Sequence, residues 1–343
     1  MIELKTNSKI FGGWLSASVT RSLNAVSGSF EISYIDKWEG QNDPWQIKAG
    51  DLCSLSFDNK LLITGFVDEI SASYSSDSRT LTISGRDKTG DLVDSASLIP
   101  SKNFRGVSLA SMANTLAEPF GVSVSSRSAA ANASIKNVSA QATETVWESI
   151  SKLAKYQGVL AYPDSEGGII FADVGSEVIA SLVQGENILA CSVTQNEAEK
   201  FQTYKIYITA GDEDTKHKIE VAEVKDNSVK RPRVKMISTK KNITMAEAVE
   251  RIKWEMASKI AKAFSLNISV TSWLTPKNKL WEINNLVDVL SPKCGIDGTF
   301  LIEETKFIFD ENGYKTELKL VIKDAYKPQT NRKGSEVGDM GEV

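Results

Sequence analysis

The sequence predicts an α+β fold that is mainly β, with two related β-barrel domains, a small α+β module between them and a helical insertion in the second barrel. Three observations predict this fold. Apolar and polar residues alternate with a period of two through the first hundred residues and again from about residue 180, which is typical of strands with one face in a core. Between these parts, apolar residues recur at helical spacing. Two distant hairpin segments also resemble each other.

The first barrel domain is predicted over residues 1–99. In the segment 14–21, Leu15, Ala17 and Val19 alternate with serine and threonine, as expected of a half-buried strand. Short strands that follow one another between turn residues favour a barrel or a sandwich. The other segments with this alternation are 30–34, 53–57, 62–70 and 79–85.

The α+β module is predicted over residues 100–176. A helix at 108–117 places four apolar residues on one stripe, and Pro119 and Gly121 end it. A second helix is expected at roughly 144–156. The segments 158–162 and 168–172 then form a hairpin around a turn rich in Asp, Ser and Gly.

The second barrel domain is predicted over residues 177–326, with a helical insertion at about 240–264. Thr244 and Glu247 have the spacing of a capping box, in which both side chains satisfy free N–H groups at a helix start. Glu247/Arg251 and Glu255/Lys259 have the spacing of favourable i,i+4 ion pairs. The predicted buried stripe of this helix is Met245, Val249, Ile252, Met256 and Ile260.

The strands of the second barrel are predicted at 204–209, 217–224, 231–238, 266–273, 281–290, 299–309 and 314–323. From about Lys327 the chain is polar and lacks apolar periodicity, so residues 327–343 are expected to form a flexible tail.

The two resembling segments end at Asp87 and Asp324. An alignment that counts back from these aspartates matches Leu81 with Leu318 and Ile83 with Leu320. If the hairpin loops are allowed to differ in length by two residues, Asp68-Glu69 also matches Glu303-Glu304. Any two alternating hairpins resemble each other to some extent. The agreement in order and spacing favours a duplication, with two related barrels in one chain.

Composition and charge exclude several classes of protein. The formal net charge of −4 predicts no global attraction to nucleic acid or anionic lipid. The longest apolar runs are too short to cross a bilayer, and the N-terminus lacks the pattern of a secretory signal, so synthesis in a cytoplasm is expected. Cys53, Cys191 and Cys294 are widely spaced, which favours small buried thiols over a disulfide framework or a zinc site.

No catalytic, cofactor-binding or metal-binding residue is predicted. His217 is the single histidine, and no GxSxG motif supplies a nucleophile for it, so a solvated surface position is favoured. Phosphate-binding glycine loops are absent from the sequence. The acidic turns 212–214 and 310–313 lack the ligand spacing of an EF-hand, and the second is expected to join two strands. A glycosidase needs two carboxylates across a cleft, but among 44 acidic residues a suitable pair could be found anywhere, so such a pair does not indicate this activity.

Two binding surfaces remain open from the residues alone. The basic segment 225–241 lacks interleaved aromatic residues, so protection of a sheet edge or a subunit contact is favoured over nucleic-acid binding. The alternative function is a carbohydrate-binding β-protein, in which exposed aromatic rings stack on sugars. Its candidate residues are Trp38, Trp45, Trp273 and Trp281.

Several segments, taken in order, resemble the tail hub proteins of Mu-like phages, which are related to the hubs of T4-type baseplates and to the hub part of type VI secretion spike proteins. The resemblance extends to about residue 326, and its residues keep the fold and form no catalytic signature. The segments that carry it are Gly12-Gly13-Trp14, Ile63 to Asp68, Ser84 to Asp87, Leu92 to Asp94, Val146 to Gly158 and Leu318 to Tyr326.

The resemblance implies a homotrimer in which each subunit gives two barrels to a ring. Such a ring joins a six-fold tail tube, or adaptor proteins of the baseplate, to a three-fold central spike. It implies a location in the tail baseplate of a virion, passage of phage DNA through the ring without sequence-specific binding, and no enzymatic activity. The tail after Lys327 is expected to become ordered on docking to the spike.

Overall fold

The computed structural model describes residues 1–35, 47–74, 79–99, 103–139, 143–210, 218–237 and 244–326. It confirms a mainly β chain with few helices. The first β unit is a set of seven strands: β1 (Ile2–Thr6), β2 (Lys9–Phe11), β3 (Ser16–Ser22), β4 (Ser29–Ile35), β5 (Leu52–Phe57), β6 (Lys60–Tyr74) and β7 (Arg79–Asp87). Strands β1 and β2 were not predicted, and the predicted segment 14–21 begins before β3, since Leu15 is exposed.

The α+β module follows directly. Its elements are α1 (Gly90–Asp94), β8 (Asn103–Ser108), α2 (Leu109–Ala117), a short 3-10 helix (Glu118–Phe120), β9 (Val124–Ser126), α3 (Ala129–Asn132), β10 (Ser134–Ser139), α4 (Val146–Gln157), β11 (Leu160–Pro163) and β12 (Ile169–Ala172). The predicted hairpin of β11 and β12 is confirmed. Asp164 shapes its turn, because the carboxylate accepts hydrogen bonds from the N–H groups of Glu166 and Gly168.

The second β unit is interrupted as predicted, but by more than a helix. Its strands are β13 (Val178–Val183), β14 (Ile188–Gln195), β18 (Phe264–Val270), β19 (Leu286–Ser291), β20 (Ile296–Asp310) and β21 (Gly313–Val321). The insertion consists of β15 (Thr203–Ala210), β16 (Lys218–Lys225), β17 (Val234–Ile237) and α5 (Met245–Lys262). Further 3-10 helices are Glu197–Glu199, Pro292–Cys294 and Lys323–Tyr326.

Strands β15 to β17 were predicted as part of the second barrel, and this prediction was wrong. They form their own three-stranded sheet in the order β16-β15-β17. Helix α5 covers this sheet, and Tyr204, Ile206, Ala248 and Ile252 share a separate small core. Alternation of apolar and polar residues identifies a strand with one buried face but does not say which sheet the strand joins.

Details of α5 differ from expectation. Met245 was placed on the buried stripe but is 40% exposed, because it occupies the first turn. Lys259 pairs with Glu199 at 3.1 Å and not along its own helix as predicted. The predicted capping box rests on the Glu247 side chain, which lies outside the described residues. A capping box is present instead on α4, where Thr145 and Glu148 exchange hydrogen bonds.

Both β units share one sheet of 13 strands. The order along it is β14-β18-β21-β20-β3-β4-β7-β6-β5-β1-β2, with β13 and β19 joined through β20. The link between the units is the pairing of β20 with β3, in which Phe307 lies opposite Val19. Along this order the sheet is open at β14 and at β2, and the pairings of the described strands do not close it into barrels.

One hydrophobic core extends through both β units, and a second fills the α+β module. Trp273 is at the centre of the first core, fully buried, and its ring lies 4.9 Å from that of Phe57 on β5 and 5.5 Å from that of Phe307 on β20. The indole N–H donates to the carbonyl of Ile308 at 2.9 Å. This tryptophan therefore ties the two units together.

Candidate functional site

Three of the segments that carry the family resemblance meet where the first β unit joins the α+β module: Ile63 to Asp68, Ser84 to Asp87 and Leu92 to Asp94. Asp87, at the end of β7, is 2% exposed. Its carboxylate accepts hydrogen bonds from the N–H of Gly28 at 2.7 Å and from the N–H of Thr89 at 3.0 Å. The Thr89 hydroxyl also contacts this carboxylate and the carbonyl of Val26. Asp87 thus holds the β3–β4 turn against the start of α1.

The buried position changes the acidity of this carboxyl. Burial raises the pKa of Asp87 to about 6, against the lowering effect of the hydrogen bonds from Thr89 and Gly28. The charge of Arg21 also lowers the pKa of Asp87, and burial lowers the pKa of the Arg21 guanidinium although Glu282 and Asp87 raise it. Arg21 donates to the carbonyl of Pro163 at 3.0 Å, which connects β3 to the end of β11.

Arg86 forms the outer layer of the same junction. Its guanidinium binds Asp68 of β6 and Asp94 of α1, each at 2.8 Å. These hydrogen bonds raise the pKa of Arg86 and lower that of Asp94. All three residues are partly exposed, so the bridge orients the helix at the surface more than it stabilises the fold.

Two glycines of the resembling segments are required by close backbone contacts. A Cβ on Gly65 would lie 1.9 Å from the carbonyl oxygen of Arg86. A Cβ on Gly85 would lie 2.0 Å from the carbonyl oxygen of Phe66 and 2.7 Å from the ring of Phe30. Only hydrogen fits at either position, so β6 and β7 approach closely here.

A second junction connects the α+β module to the second β unit through Asn284. This residue has a positive φ of 63° and is 7% exposed. Its side-chain oxygen accepts from the N–H of Gly175 at 2.9 Å, and its amide nitrogen donates to the carbonyl of Asp173 at 3.0 Å. Asn284 was not predicted from the sequence, because its partners are more than a hundred residues away.

Strands β6 and β20 each contain a bulge, which supports the predicted duplication. The register of β6 against β7 shifts between Val67 and Glu69, and that of β20 against β21 shifts between Ile302 and Glu304. The extra residues are Asp68 and Glu303, the acidic residues that the alignment matched.

Each bulge residue binds a cation from the partner strand: Asp68 binds Arg86 and Glu303 binds Lys319 at 2.7 Å. Burial raises the pKa of Glu303, but hydrogen bonds from Lys319 and Tyr326 outweigh it and lower the pKa overall. Both bulges therefore carry a paired acid.

The alignment of the second strands was wrong by two residues. The residues of β7 that lie opposite the first bulge are Ser84 and Gly85, whereas the residues of β21 opposite the second bulge are Lys319 and Leu320. The residue that corresponds to Leu318 is therefore Ile83, and not Leu81 as the alignment predicted. From the bulge residue to the partner residue, Asp68 to Ser84 and Glu303 to Lys319, the two hairpins have equal length. The final aspartates were a misleading reference, because they were matched by residue type alone.

The candidates for chemistry do not form a site in the described part of the chain. His217, Trp38, Trp45 and the acidic turn 212–214 lie outside the described residues. Trp273 and Trp281 are 0% and 4% exposed, so the prediction that they are exposed platforms for sugars was wrong. Both indole N–H groups donate to backbone carbonyls, which explains how these rings are accommodated in the core.

The second acidic turn is the predicted hairpin connection between β20 and β21, and the Asp310 carboxylate accepts from the N–H of Asn312 at 2.8 Å. Within the described ranges, no group of three or more His, Cys, Asp or Glu residues is arranged to hold a metal ion. The three cysteines are free thiols; Cys53 is buried, but Cys191 and Cys294 are only half-buried, contrary to expectation.

The basic segment 225–241 includes the edge strand β17. Arg233 and Lys235 lie over the ring of Phe201, at 4.8 Å and 5.7 Å from its centroid. Lys225 pairs with Glu223 at 3.5 Å. These basic side chains are thus partly engaged within the insertion, and Lys235 stands on the edge of its sheet. Among the helices that the structure describes, none is long and apolar enough to cross a membrane.

Comparison with known protein families matches three parts of the chain. Residues 1–87 match the N-terminal domain of the Mu phage baseplate assembly protein GpP-like family, residues 89–173 the second domain of the baseplate hub protein gp44-like family, and residues 244–329 the fourth domain of GpP.

Individual proteins resemble nearly the whole chain. The baseplate hub protein gp44 of Escherichia phage Mu is 28% identical, over 98% of this chain and 92% of its own length. The crystal structure of the 43 kDa tail protein of prophage MuSo2 from Shewanella oneidensis is 31% identical, with a TM-score of 0.85 over 95% of this chain and 99% of that one.

The tail protein from Neisseria meningitidis MC58, 23% identical, shares the fold with a TM-score of 0.79 over 96% of this chain and 98% of that one. The fold of this chain is thus shared over nearly its whole length with tail proteins from these two sources. The chain belongs to the family of Mu-like phage baseplate hub proteins.

Proposed function

We propose that this chain is a structural hub subunit that assembles as a homotrimeric ring in the tail baseplate of a Mu-like phage or prophage. The ring joins the six-fold tail tube, directly or through adaptor proteins, to the three-fold central spike. The observation that supports it is the pair of equivalent β units in one chain, each with a bulged long hairpin and a paired acid at the bulge.

Two equivalent β units in each subunit would allow one trimer to fit both a six-fold and a three-fold partner. Three chains would present six similar β units toward a six-fold tube, while the ring as a whole keeps three-fold symmetry toward a spike. The β20·β3 pairing inside the chain supplies a model for how neighbouring units contact each other. The rigid junctions at Asp87 and Asn284 suit a part that transmits position and force.

The proposal includes a division of the chain into functional parts. Residues 1–99 and 177–326 form the two related barrel-type hub domains, the second interrupted by the separate layer of β15 to β17 and α5. Residues 100–176 form the module between them, and 327–343 form a flexible tail that becomes ordered on the spike. The subunit is made in the bacterial host cytoplasm, acts without enzymatic turnover and lets phage DNA pass through the ring. A lumen free of strong positive charge would avoid retaining the DNA.

Light scattering on the purified full chain tests the proposal. A mass near three times 37.5 kDa is expected. A protein that stays monomeric over a wide concentration range contradicts the ring. Deletion of residues 327–343 should leave the trimer intact and weaken binding to the spike protein; unchanged spike binding would rule out the role of the tail.

A further inference from the structure

The contact between the two β units inside the chain is an antiparallel strand pairing. Beyond its bulge, β20 pairs on one side with β21 and on the other with β3, from Glu304 opposite Ser22 to Phe309 opposite Ala17. Phe307 and Val19, at the centre, are 1% and 0% exposed. The far half of β20 is thus a buried strand between the units.

The corresponding half of β6 lacks such a neighbour among the described strands. Residues 69–74 pair with β7 on one side, and β5 pairs only with the first half of β6. Ala72, which corresponds to Phe307, is exposed. Tyr74, which corresponds to the half-buried Phe309, is 88% exposed. In the described part of the chain, the first unit therefore presents an unpaired edge where the second unit has a buried joint.

Strand β14 presents the complementary edge. In the first unit, β4 pairs with β7, the second strand of the long hairpin, and β3 lies on the outer side of β4. In the second unit, β18 pairs with β21 in the same way, and β14 lies on the outer side of β18. Strand β14 therefore corresponds to β3. These pairings match Val193 with Val19 and Cys191 with Ala17. Both β14 residues are half-buried, whereas Val19 and Ala17 are buried.

Apart from the exposed Glu69 at the start of the β6 edge, neither edge carries the residues that commonly protect an exposed strand. Residues 70–74 and 191–195 contain no charged side chain and no proline. Exposed edges are usually protected by lysine, proline or a short length, and the edge strand β17 has Lys235. Among the described strands, residues 70–74 and 191–195 are thus uncharged and have no partner on their outer side, and they correspond to the two sides of an existing joint.

We propose that residues 69–74 of β6 pair antiparallel with β14 of a second copy of this chain, and that this strand pairing is the joint between hub subunits. The register copied from the β20·β3 pairing places Ala72 opposite Val193 and Tyr74 opposite Cys191. The β-unit contact inside one subunit is then repeated between subunits, head to tail, and closes into a ring. This proposal rests on the trimer proposed above and specifies its interface.

Disulfide cross-linking in the full chain tests the register. On the outward face, the same register places Ser73 opposite Ser192. Opposite residues on antiparallel strands have Cα atoms about 4.5–5.5 Å apart, within the range of a disulfide. Oxidation of Ser73→Cys/Ser192→Cys should convert most of the protein into a covalent trimer on a non-reducing gel.

Matched variants show whether the cross-link reports this register. Ser18→Cys/Ile308→Cys is the equivalent pair inside the chain, so it should form an intramolecular disulfide under the same conditions. Each single variant should remain uncross-linked, which excludes linkage through native thiols. Ser73→Cys/Thr194→Cys, shifted by two residues, should cross-link at least tenfold less.

A charge at the centre of the joint provides a second test. Ala72→Lys should abolish the trimer seen by light scattering, and the far-UV circular dichroism of the chain should not change, because Ala72 is exposed in the single subunit. Ser71→Lys is the control. It copies Lys306, the residue at the corresponding position of β20 opposite Thr20, and should leave the trimer intact.

The outcomes separate the two proposals. A trimer that withstands Ala72→Lys and lacks the Ser73/Ser192 cross-link would overturn this joint but keep the ring. Cross-linked open polymers would support the joint and contradict the closed trimer. A monomer without cross-links at any concentration would overturn both.

Discussion

The carboxylate of Asp87 accepts a hydrogen bond of 2.7 Å from the backbone N–H of Gly28, and this contact joins the end of β7 to the turn between β3 and β4. The carboxyl is buried, so its protonation is coupled to folding.

The Asp87 junction should make stability depend on pH. Burial raises the pKa of Asp87 from 3.8 to about 6, so between these values the folded chain binds a proton that the unfolded chain does not. The protonated carboxyl therefore stabilises the fold at low pH, and the free energy of unfolding falls by up to about 3 kcal/mol as pH rises from about 4 through 6. In urea unfolding, the stability of Asp87→Asn should not show this decrease between pH 4 and 6, because asparagine does not titrate.

Asp94→Asn is the matched control for the pH dependence. Hydrogen bonding from Arg86 lowers the pKa of Asp94, so its contribution has the opposite sign and is lost as pH falls. The stability of this variant should still decrease between pH 4 and 6. An Asp87→Asn protein with the wild-type pH dependence would show that another group causes it.

The close approach of β6 and β7 should make Gly85 intolerant of any side chain. In Gly85→Ala, the new methyl group would overlap the Phe66 carbonyl and the Phe30 ring, so unfolding free energy should fall by about 3 kcal/mol or more. Gly12→Ala is the control, because its nearest contact is 3.6 Å away and its cost should be below about 1 kcal/mol. Equal losses would contradict the contact.

The Asn284 junction combines backbone strain with hydrogen bonding, and two substitutions separate them. Asn284→Gly keeps the positive φ but leaves the Gly175 N–H and the Asp173 carbonyl without the side chain, at about 1–3 kcal/mol. Asn284→Ala adds about 1 kcal/mol of left-handed strain. Chemical denaturation should rank wild type above Gly above Ala; equal stability of Gly and wild type would show that the hydrogen bonds contribute nothing.

Trp273 should act through the core and not through a ligand. In Trp273→Phe, the Ile308 carbonyl loses its indole donor, and stability should fall by about 1–3 kcal/mol. In Trp273→Ala, the lost contacts with Phe57 and Phe307 should raise the cost to about 3–5 kcal/mol. Thermal unfolding checks both. A stable Trp273→Ala protein would show that this ring does not connect the two units.

The sequence was most informative about single elements. Alternation located β3, β4, β5, β6, β7 and β21, and helical spacing located α2, α4 and α5, because each of these has one continuous buried face. Strands β8 to β10, β13 and β14 were missed. β14 is an outer strand whose apolar residues are only partly buried in the single subunit, so its pattern is weak.

The sequence also predicted the similarity of the two hairpins, through the acidic pairs at positions 68–69 and 303–304, and the strand pairings corrected their alignment. Only strand pairing reveals a bulge, since a bulge is defined by the partner strand. The two-residue error arose because a shift of two keeps every side chain on the same face and leaves the apolar pattern unchanged.

By itself, the sequence determined the β-rich class, the order of the parts, the absence of recognisable catalytic and nucleotide motifs and the resemblance to phage tail hubs. These follow from local periodicity and from residue types at short spacing. Only the tertiary structure decided that both β units share one sheet, that β15 to β17 and α5 form a separate layer, and that Trp273 and Trp281 are core residues. Each depends on contacts between residues far apart in the chain, and a local pattern does not specify its partner.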